Sequence, residues 1–198
     1  DVYILYPLYI SLSDYLAQRS ITNLRAVNLG IDICDALASC REAGYLFANI
    51  KPENIYLMPT GKFLLGDLGL AAVEDLRYTC IPEEYIGPYS APELSDFTLS
   101  PNTTIDLYSL GMVLYRVYNG NHGPFEDEKT SAKAADRRRI TGEELPAPLY
   151  ADYELTAILL KACAFKPEDR YQSPEELRQE LVEYVKRNQV EDTPIVPP

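Results

Sequence analysis

The strongest constraint on the fold is a pair of segments that are apolar on more than one helical face. The first segment follows Thr22, and its two apolar rows are Val27, Ile31, Cys34, Ala38 and Leu29, Ile33, Leu37. The second runs over residues 105–117 and contains Leu110, Val113, Leu114 and Val117. A helix that is apolar around most of its circumference has to be buried. We therefore expect a mainly α-helical domain built around these two helices.

Shorter elements are expected around this pair. The pattern predicts helices over residues 11–20 and 154–165, and one opened by Ser173 with Pro174 in its first turn. Residues 126–140 are polar and amphipathic at best. Two apolar runs, Ile55–Met58 and Lys62–Leu65, flank Pro59-Thr60-Gly61 and predict a small β hairpin. The proline-rich residues 189–198 are expected to form a tail or linker.

The first residues form a separate apolar run. Val2 to Ile10 predicts a strand buried on both faces, and such a strand needs neighbours. Either a preceding segment or another chain would have to cover it.

Composition narrows the possible partners. The chain has 198 residues, enough for one domain, and a net charge of −12, which argues against binding nucleic acid. No apolar run approaches the ~20 residues of a membrane span, so direct membrane insertion is not expected. Four cysteines without Cys-x-x-Cys spacing and one histidine suggest neither a zinc site nor a disulfide framework, and they favour the cytoplasm.

One basic cluster departs from the acidic composition. Lys133 and the run Arg137, Arg138, Arg139 are interpreted as the solvated end of a helix; the alternative is a phosphate site.

Four motifs occur in a specific order along the chain. They are Lys51-Pro52-Glu53-Asn54, Asp67-Leu68-Gly69, Ala91-Pro92-Glu93 and Asp106-Leu107-Tyr108-Ser109-Leu110-Gly111. Together they resemble the catalytic loop, the magnesium-binding motif, the end of the activation segment and the central helix of protein kinases. The resemblance covers nearly the whole chain.

The resemblance implies boundaries and a fold. Residues 11–188 would form a helical domain like the larger (C-terminal) lobe of a Ser/Thr-type kinase, with a catalytic-loop equivalent at 45–55 and an activation-segment equivalent at 67–93. Residues 1–10 would be the hinge and last strand of a smaller lobe that is otherwise absent. The glycine-rich loop and the lysine that hold ATP in kinases belong to that smaller lobe, so they would be absent as well.

The catalytic loop departs from the family pattern at its centre. Asn49 stands where the resemblance implies the catalytic aspartate, and an amide cannot accept the substrate hydroxyl proton. Ala48 replaces the arginine that pairs with a phosphorylated loop in regulated kinases. The resemblance therefore implies a pseudokinase.

Three residues keep the family side chains of the phosphate and metal site. Lys51, Asn54 and Asp67 could hold nucleotide phosphates, and Asn54 and Asp67 could bind Mg²⁺. No cofactor is required by this interpretation, although an intact parent could bind Mg-ATP. The alternative is that Asn54 and Asp67 only hydrogen-bond their own loops.

Other motif residues are expected to have structural roles. Glu93 with Arg170 is interpreted as an ion pair, Asp106 as a brace for the catalytic-loop backbone, and Phe47 as core packing.

Three functions stay open. The leading hypothesis is a scaffold or regulatory module that self-associates or binds a protein through the surface facing the smaller lobe and the Val2–Ile10 strand. The alternatives are a fragment of an active or weakly active ATP-dependent Ser/Thr kinase, and a nucleotide-binding sensor.

Overall fold

The computed structural model describes residues 8–66, 71–72, 81, 86–95, 102–127 and 129–195. Helices form most of its regular structure. The helices are α1 (Leu12–Gln18), α2 (Asn23–Glu42), α3 (Thr104–Val117), α4 (Ala132–Ile140), α5 (Tyr153–Ala162) and α6 (Pro174–Asn188). The strands are β1 (Ile10–Ser11), β2 (Tyr45–Leu46), β3 (Ile55–Leu57), β4 (Phe63–Leu65) and β5 (Ala71–Ala72). Single 3₁₀ turns cover Pro52–Asn54, Pro92–Ser95 and Pro167–Asp169.

The two apolar helices lie at the centre, as the sequence predicts. Thirteen of the 14 residues of α3 are buried, all except Arg116. Helix α2 packs against α6 and α3, and α3 packs against α5. The contact with α5 is close at Gly111, where an added Cβ would lie 2.8 Å from the Cβ of Ala162. The apolar rows of the sequence therefore identify the core correctly.

The predicted helix starts near residues 11, 22 and 173 are confirmed by their N-caps. The hydroxyl oxygens of Ser11, Thr22 and Ser173 accept hydrogen bonds from the backbone N–H groups of residues 14, 25 and 176. After α2, Gly44 has a φ of 80°, a left-handed conformation that glycine adopts without strain. Within the described ranges, no helix has both the length and the apolar character needed to cross a membrane.

The β structure is larger than the predicted hairpin. β3 and β4 form that hairpin with Tyr56 opposite Leu64, and β1 adds a third antiparallel strand on the other side of β3. A second antiparallel pair joins β2 to β5, with Tyr45 opposite Ala72. The architecture is a mainly helical domain with two small antiparallel sheets, which is compatible with a kinase fold.

The predicted N-terminal strand is described only at its end. Residues 1–7 lie outside the described ranges, and Ile10 belongs to β1. Leu8 is fully exposed, so burial on both faces does not extend to this residue.

The C-terminal residues contact the domain and do not extend away from it as a linker. The N–H of Asn23 donates to the carbonyl oxygen of Thr193 (2.7 Å), and the N–H of Ile195 donates to that of Ile21 (3.3 Å). Val190 and Ile195 also pack against the core. The described part of the tail, up to residue 195, therefore belongs to the folded domain.

Candidate functional site

A cleft of about 310 Å³ lies beside the loop that carries Asn49. One side, which we call the loop wall, consists of residues 48–51 and 53. A second lining segment, which we call the turn wall, consists of residues 86–90, and Ser109 of α3 also lines the cleft. The structure thus brings together two segments that are separated by more than thirty residues in the sequence.

Asp106 of α3 fixes the loop wall. Its carboxylate accepts the backbone N–H groups of Phe47 (2.9 Å) and Ala48 (2.7 Å). Ala48 has a φ of 59°, a conformation that costs a residue with a side chain about 1–2 kcal/mol. The two hydrogen bonds hold the backbone in this conformation, and the bracing role predicted for Asp106 is confirmed.

Asp106 is almost completely buried, and so is the adjoining Phe47. Burial raises the pKa of the Asp106 carboxyl to about 6, and the two backbone N–H donors offset part of that increase. Phe47 is a core residue, as predicted.

Asn49 lines the cleft, and Asn54 supports its backbone. The side-chain amide of Asn54 donates to the carbonyl oxygen of Asn49 at 2.9 Å, and Asn54 is 4% exposed. This contact fits the interpretation that Asn54 stabilises its own loop. It occupies the amide nitrogen only, so the amide oxygen of Asn54 could still serve as a metal ligand.

Lys51 and Glu53 also line the cleft. Neither side chain has a hydrogen bond or an ion pair with any residue in the described ranges. Glu53 is exposed, and it contributes a carboxylate to the cleft that contains Asn49. Sequence reasoning did not assign a role to Glu53, although its place beside Lys51 in the motif was a signal that it could lie at the site.

The residues fit Mg-ATP only in part. Lys51 could contact a phosphate and Asn54 offers one oxygen ligand, but the predicted third member, Asp67, lies outside the described residues. Among residues that the structure does describe, there is no group of three or more His, Cys, Asp or Glu side chains able to hold a metal ion. No chemical step through Mg-ATP follows from this geometry.

The predicted ion pair between Glu93 and Arg170 is confirmed, and it lies just beyond the turn wall. The guanidinium donates to both carboxylate oxygens, at 2.6 and 2.7 Å, and the Arg170 side chain is fully buried. Arg170 also donates to three backbone carbonyl oxygens and lies over the ring of Tyr108. The pair joins the segment after the turn wall to α3 and to the end of α5.

The interpretation of the basic cluster as a solvated helix end is wrong for Arg139. This residue is 4% exposed, and it donates to the carbonyl oxygens of Gly87 and Ser90 in the turn wall. Arg137 and Arg138 are exposed, as predicted for the cluster. The signal that could have identified Arg139 is its spacing, because it lies four residues after the buried Ala135 on the same face of α4.

Comparison with known proteins identifies the family. Residues 3–182 match the model of the protein kinase domain. The chain is 33% identical over 170 residues to the serine/threonine-protein kinase PknB of Mycobacterium tuberculosis (strain ATCC 25618 / H37Rv), a match that covers 81% of this chain and 26% of PknB. It is 32% identical over 177 residues to the probable serine/threonine-protein kinase CE0033 of Corynebacterium efficiens, covering 84% of this chain and 26% of that protein.

The match extends over most of this chain and over only part of each relative. The chain spans about a quarter of the length of the curated relatives it matches. The loop held by Asp106 and the ion pair of Glu93 with Arg170 lie within the matched residues. From the match and this geometry together, we conclude that the chain belongs to the protein kinase family.

Proposed function

We propose that the chain is the larger lobe of a pseudokinase and that it serves as a scaffold or regulatory module. The observation that carries the proposal is Asn49, which lines the cleft at the position where the family pattern has a catalytic base. An amide has no basic site for a hydroxyl proton at neutral pH. General-base assistance is typically worth about 10² to 10⁴ in rate, or about 3 to 5 kcal/mol of activation free energy.

The retained frame of the cleft supports a binding function. Asp106 fixes the loop wall and Arg170 fixes the segment after the turn wall, so the cleft has a defined shape. A shaped cleft with a missing base can bind a polypeptide without modifying it. The partner would be a protein, because the net charge of −12 disfavours nucleic acid.

The N-terminal strand is a second surface for a protein partner or for self-association. Leu8 is fully exposed, and it lies within the apolar run from Val2 to Ile10. Exposed apolar groups of this kind favour association in water. Light scattering over a range of concentrations tests this part of the proposal, and a monomer at every concentration would contradict self-association.

The first alternative is an active or weakly active Ser/Thr kinase. One specific observation favours it: Glu53 places a carboxylate in the cleft that contains Asn49 and Lys51. The names of the relatives agree with this alternative. Glu53 would then replace the missing base.

Phosphate transfer distinguishes these two functions. We would incubate the native-length protein with Mg²⁺, radiolabelled ATP and a generic protein substrate, beside the variants Asp67→Ala and Glu53→Gln. The pseudokinase proposal expects no transfer above the Asp67→Ala background. Transfer that Asp67→Ala abolishes would overturn it, and its loss in Glu53→Gln would identify Glu53 as the base.

A gain-of-function variant sharpens the same experiment. If the amide alone prevents transfer, Asn49→Asp should raise the rate above background by about 10² to 10⁴. If Asn49→Asp stays at background, the impairment is not confined to this residue. Either outcome leaves the wild-type measurement as the test of the proposal.

The second alternative, a nucleotide sensor, rests on Lys51 and Asn54. Binding of Mg-ATP to the folded protein raises its melting temperature once the ligand concentration exceeds the dissociation constant, whether or not phosphate is transferred. A rise that is lost in Lys51→Ala, without transfer, would favour the sensor. An unchanged melting temperature would count against it.

A further inference from the structure

Arg139 is the one cation of the basic cluster that points into the protein. It lies in the last turn of α4, and its side chain is 3% exposed. A buried guanidinium has five N–H donors, and each donor left unpaired would cost free energy. Its partners therefore show what the residue does.

All five donors of Arg139 are paired. Nε and Nη2 donate to the Asp136 carboxylate at 3.0 and 2.6 Å, one turn earlier on α4. Nη1 donates to the Ser90 carbonyl oxygen (2.6 Å) and to the Tyr108 hydroxyl (2.9 Å), and Nη2 donates to the Gly87 carbonyl oxygen (3.3 Å). One side chain thus joins α4, α3 and the turn wall.

The turn wall is itself a compact unit. The N–H of Ser90 donates to the carbonyl oxygen of Gly87 (3.0 Å), and the N–H of Gly87 donates to the Ser90 hydroxyl (2.9 Å). Because Arg139 binds both ends of this turn, a shift of α4 would carry the whole turn with it or break these bonds. Residues 87–90 line the same cleft as the loop wall, so the shift would change the shape of the cleft.

We propose that Arg139 is the positioning residue of the turn wall, and that the position of α4 thereby sets the shape of the cleft. This arrangement does not involve Ala48, which stands on the loop wall in place of the arginine of regulated kinases. The use of the cleft by a polypeptide rests on the proposed function. The role of Arg139 in the shape of the cleft does not.

The test measures the turn wall directly, without nucleotide or partner. Hydrogen exchange of the backbone amides of Gly87 and Ser90 would be compared in the wild type, Arg139→Lys and Arg139→Met. Lysine keeps the charge but has three N–H donors where arginine has five. We therefore expect faster exchange in both variants, by about tenfold or more in Arg139→Met. Exchange in α2, which does not contact this network, should stay unchanged. The matched control is Arg137→Met, an exposed neighbour on the same helix, which should leave residues 87–90 unaffected.

A spectroscopic readout separates positioning from general destabilisation. The chain contains no tryptophan, so Tyr89→Trp places a single reporter in the turn wall. We expect Arg139→Lys to increase quenching of this tryptophan by acrylamide at denaturant concentrations where the helices remain folded by circular dichroism.

Two outcomes would overturn the proposal. One is unchanged exchange at Gly87 and Ser90 in a folded Arg139→Lys variant, and the other is an equal increase across α2 and the turn wall. Neither depends on phosphate transfer, so failure here is distinguishable from failure of the pseudokinase proposal. If Arg139→Met does not fold, Asp136→Asn is the second variant, since it weakens the same network from its more exposed end.

Discussion

The two walls of the cleft are held in place by opposite chemistry. The loop wall is fixed by a carboxylate of α3 that accepts two backbone N–H groups. The turn wall is fixed by a guanidinium group, that of Arg139 on α4, which donates to the backbone carbonyl oxygens of Gly87 and Ser90. The segment that follows it is held by Arg170 through Glu93. The brace of the loop wall thus lies in the buried central helix, whereas the turn wall depends on α4, in which only Ala135 and Arg139 are buried. The two sides of the cleft therefore depend on different helices, α3 for the loop wall and α4 for the turn wall.

The largest effect is expected from breaking the ion pair beyond the turn wall. Glu93→Ala would leave the Arg170 guanidinium buried without its counter-ion, and such losses typically cost about 3–5 kcal/mol of unfolding free energy. Urea denaturation followed by circular dichroism measures this change.

A surface ion pair provides the control for that variant. Arg178 pairs with Asp35, and both side chains are about half exposed, so Arg178→Ala should cost less than about 1 kcal/mol. Equal losses for the two variants would mean that burial does not distinguish the pairs.

The next effect concerns the loop wall and depends on pH. Because burial raises the Asp106 pKa from its usual 3.8 to about 6, ionisation is less favourable in the folded state. The stabilising contribution is fully present below about pH 4 and is lost as the pH rises through 6, by a total of about 3 kcal/mol.

Asp106→Asn removes this titration. We expect the difference in unfolding free energy between wild type and variant to decrease from pH 4 to pH 7, as measured by urea denaturation at each pH. Parallel curves for the two proteins would show that the carboxylate does not titrate in this range.

The smallest effect tests the contribution of α3 to the turn wall. Tyr108→Phe removes the hydroxyl that accepts from Arg139 and leaves one buried donor unpaired, at an expected cost of about 1–2 kcal/mol. Exchange at Gly87 and Ser90 should increase as well.

Tyr115→Phe is the matched control on the same helix. Its hydroxyl donates to the carbonyl oxygen of Pro146, away from the cleft. We expect a loss of stability of similar size without faster exchange in the turn wall, and faster exchange there would contradict the assignment of Tyr108.

The sequence predicted the helical core from apolar periodicity and the buried ion pair from the motifs. The rows of α2 and α3 identified the core because a helix that is apolar on several faces cannot face water. Glu93 and Arg170 were paired in advance through the family pattern, although they lie 77 residues apart.

Contacts made by single side chains were harder to predict. Arg139 has the same charge as its neighbours Arg137 and Arg138, and only the orientation of α4 determines which of the three is buried. The tail shows the same limitation, because its proline content suggested a linker while Val190 and Ile195 pack on the core. Composition does not show where a segment finds its partners.

The burial of α3 has a consequence for any molecule that enters the cleft. Ser109 lines the cleft from a helix that is buried on nearly every side, and Gly111, two residues further on, lies close to Ala162 of α5. Close-packed protein interiors resist compression, so α3 cannot move inward to accommodate a bulkier side chain in the cleft. A bound group is therefore limited in how far it can project toward α3. Any adaptation to a larger group has to come from the loop wall or the turn wall.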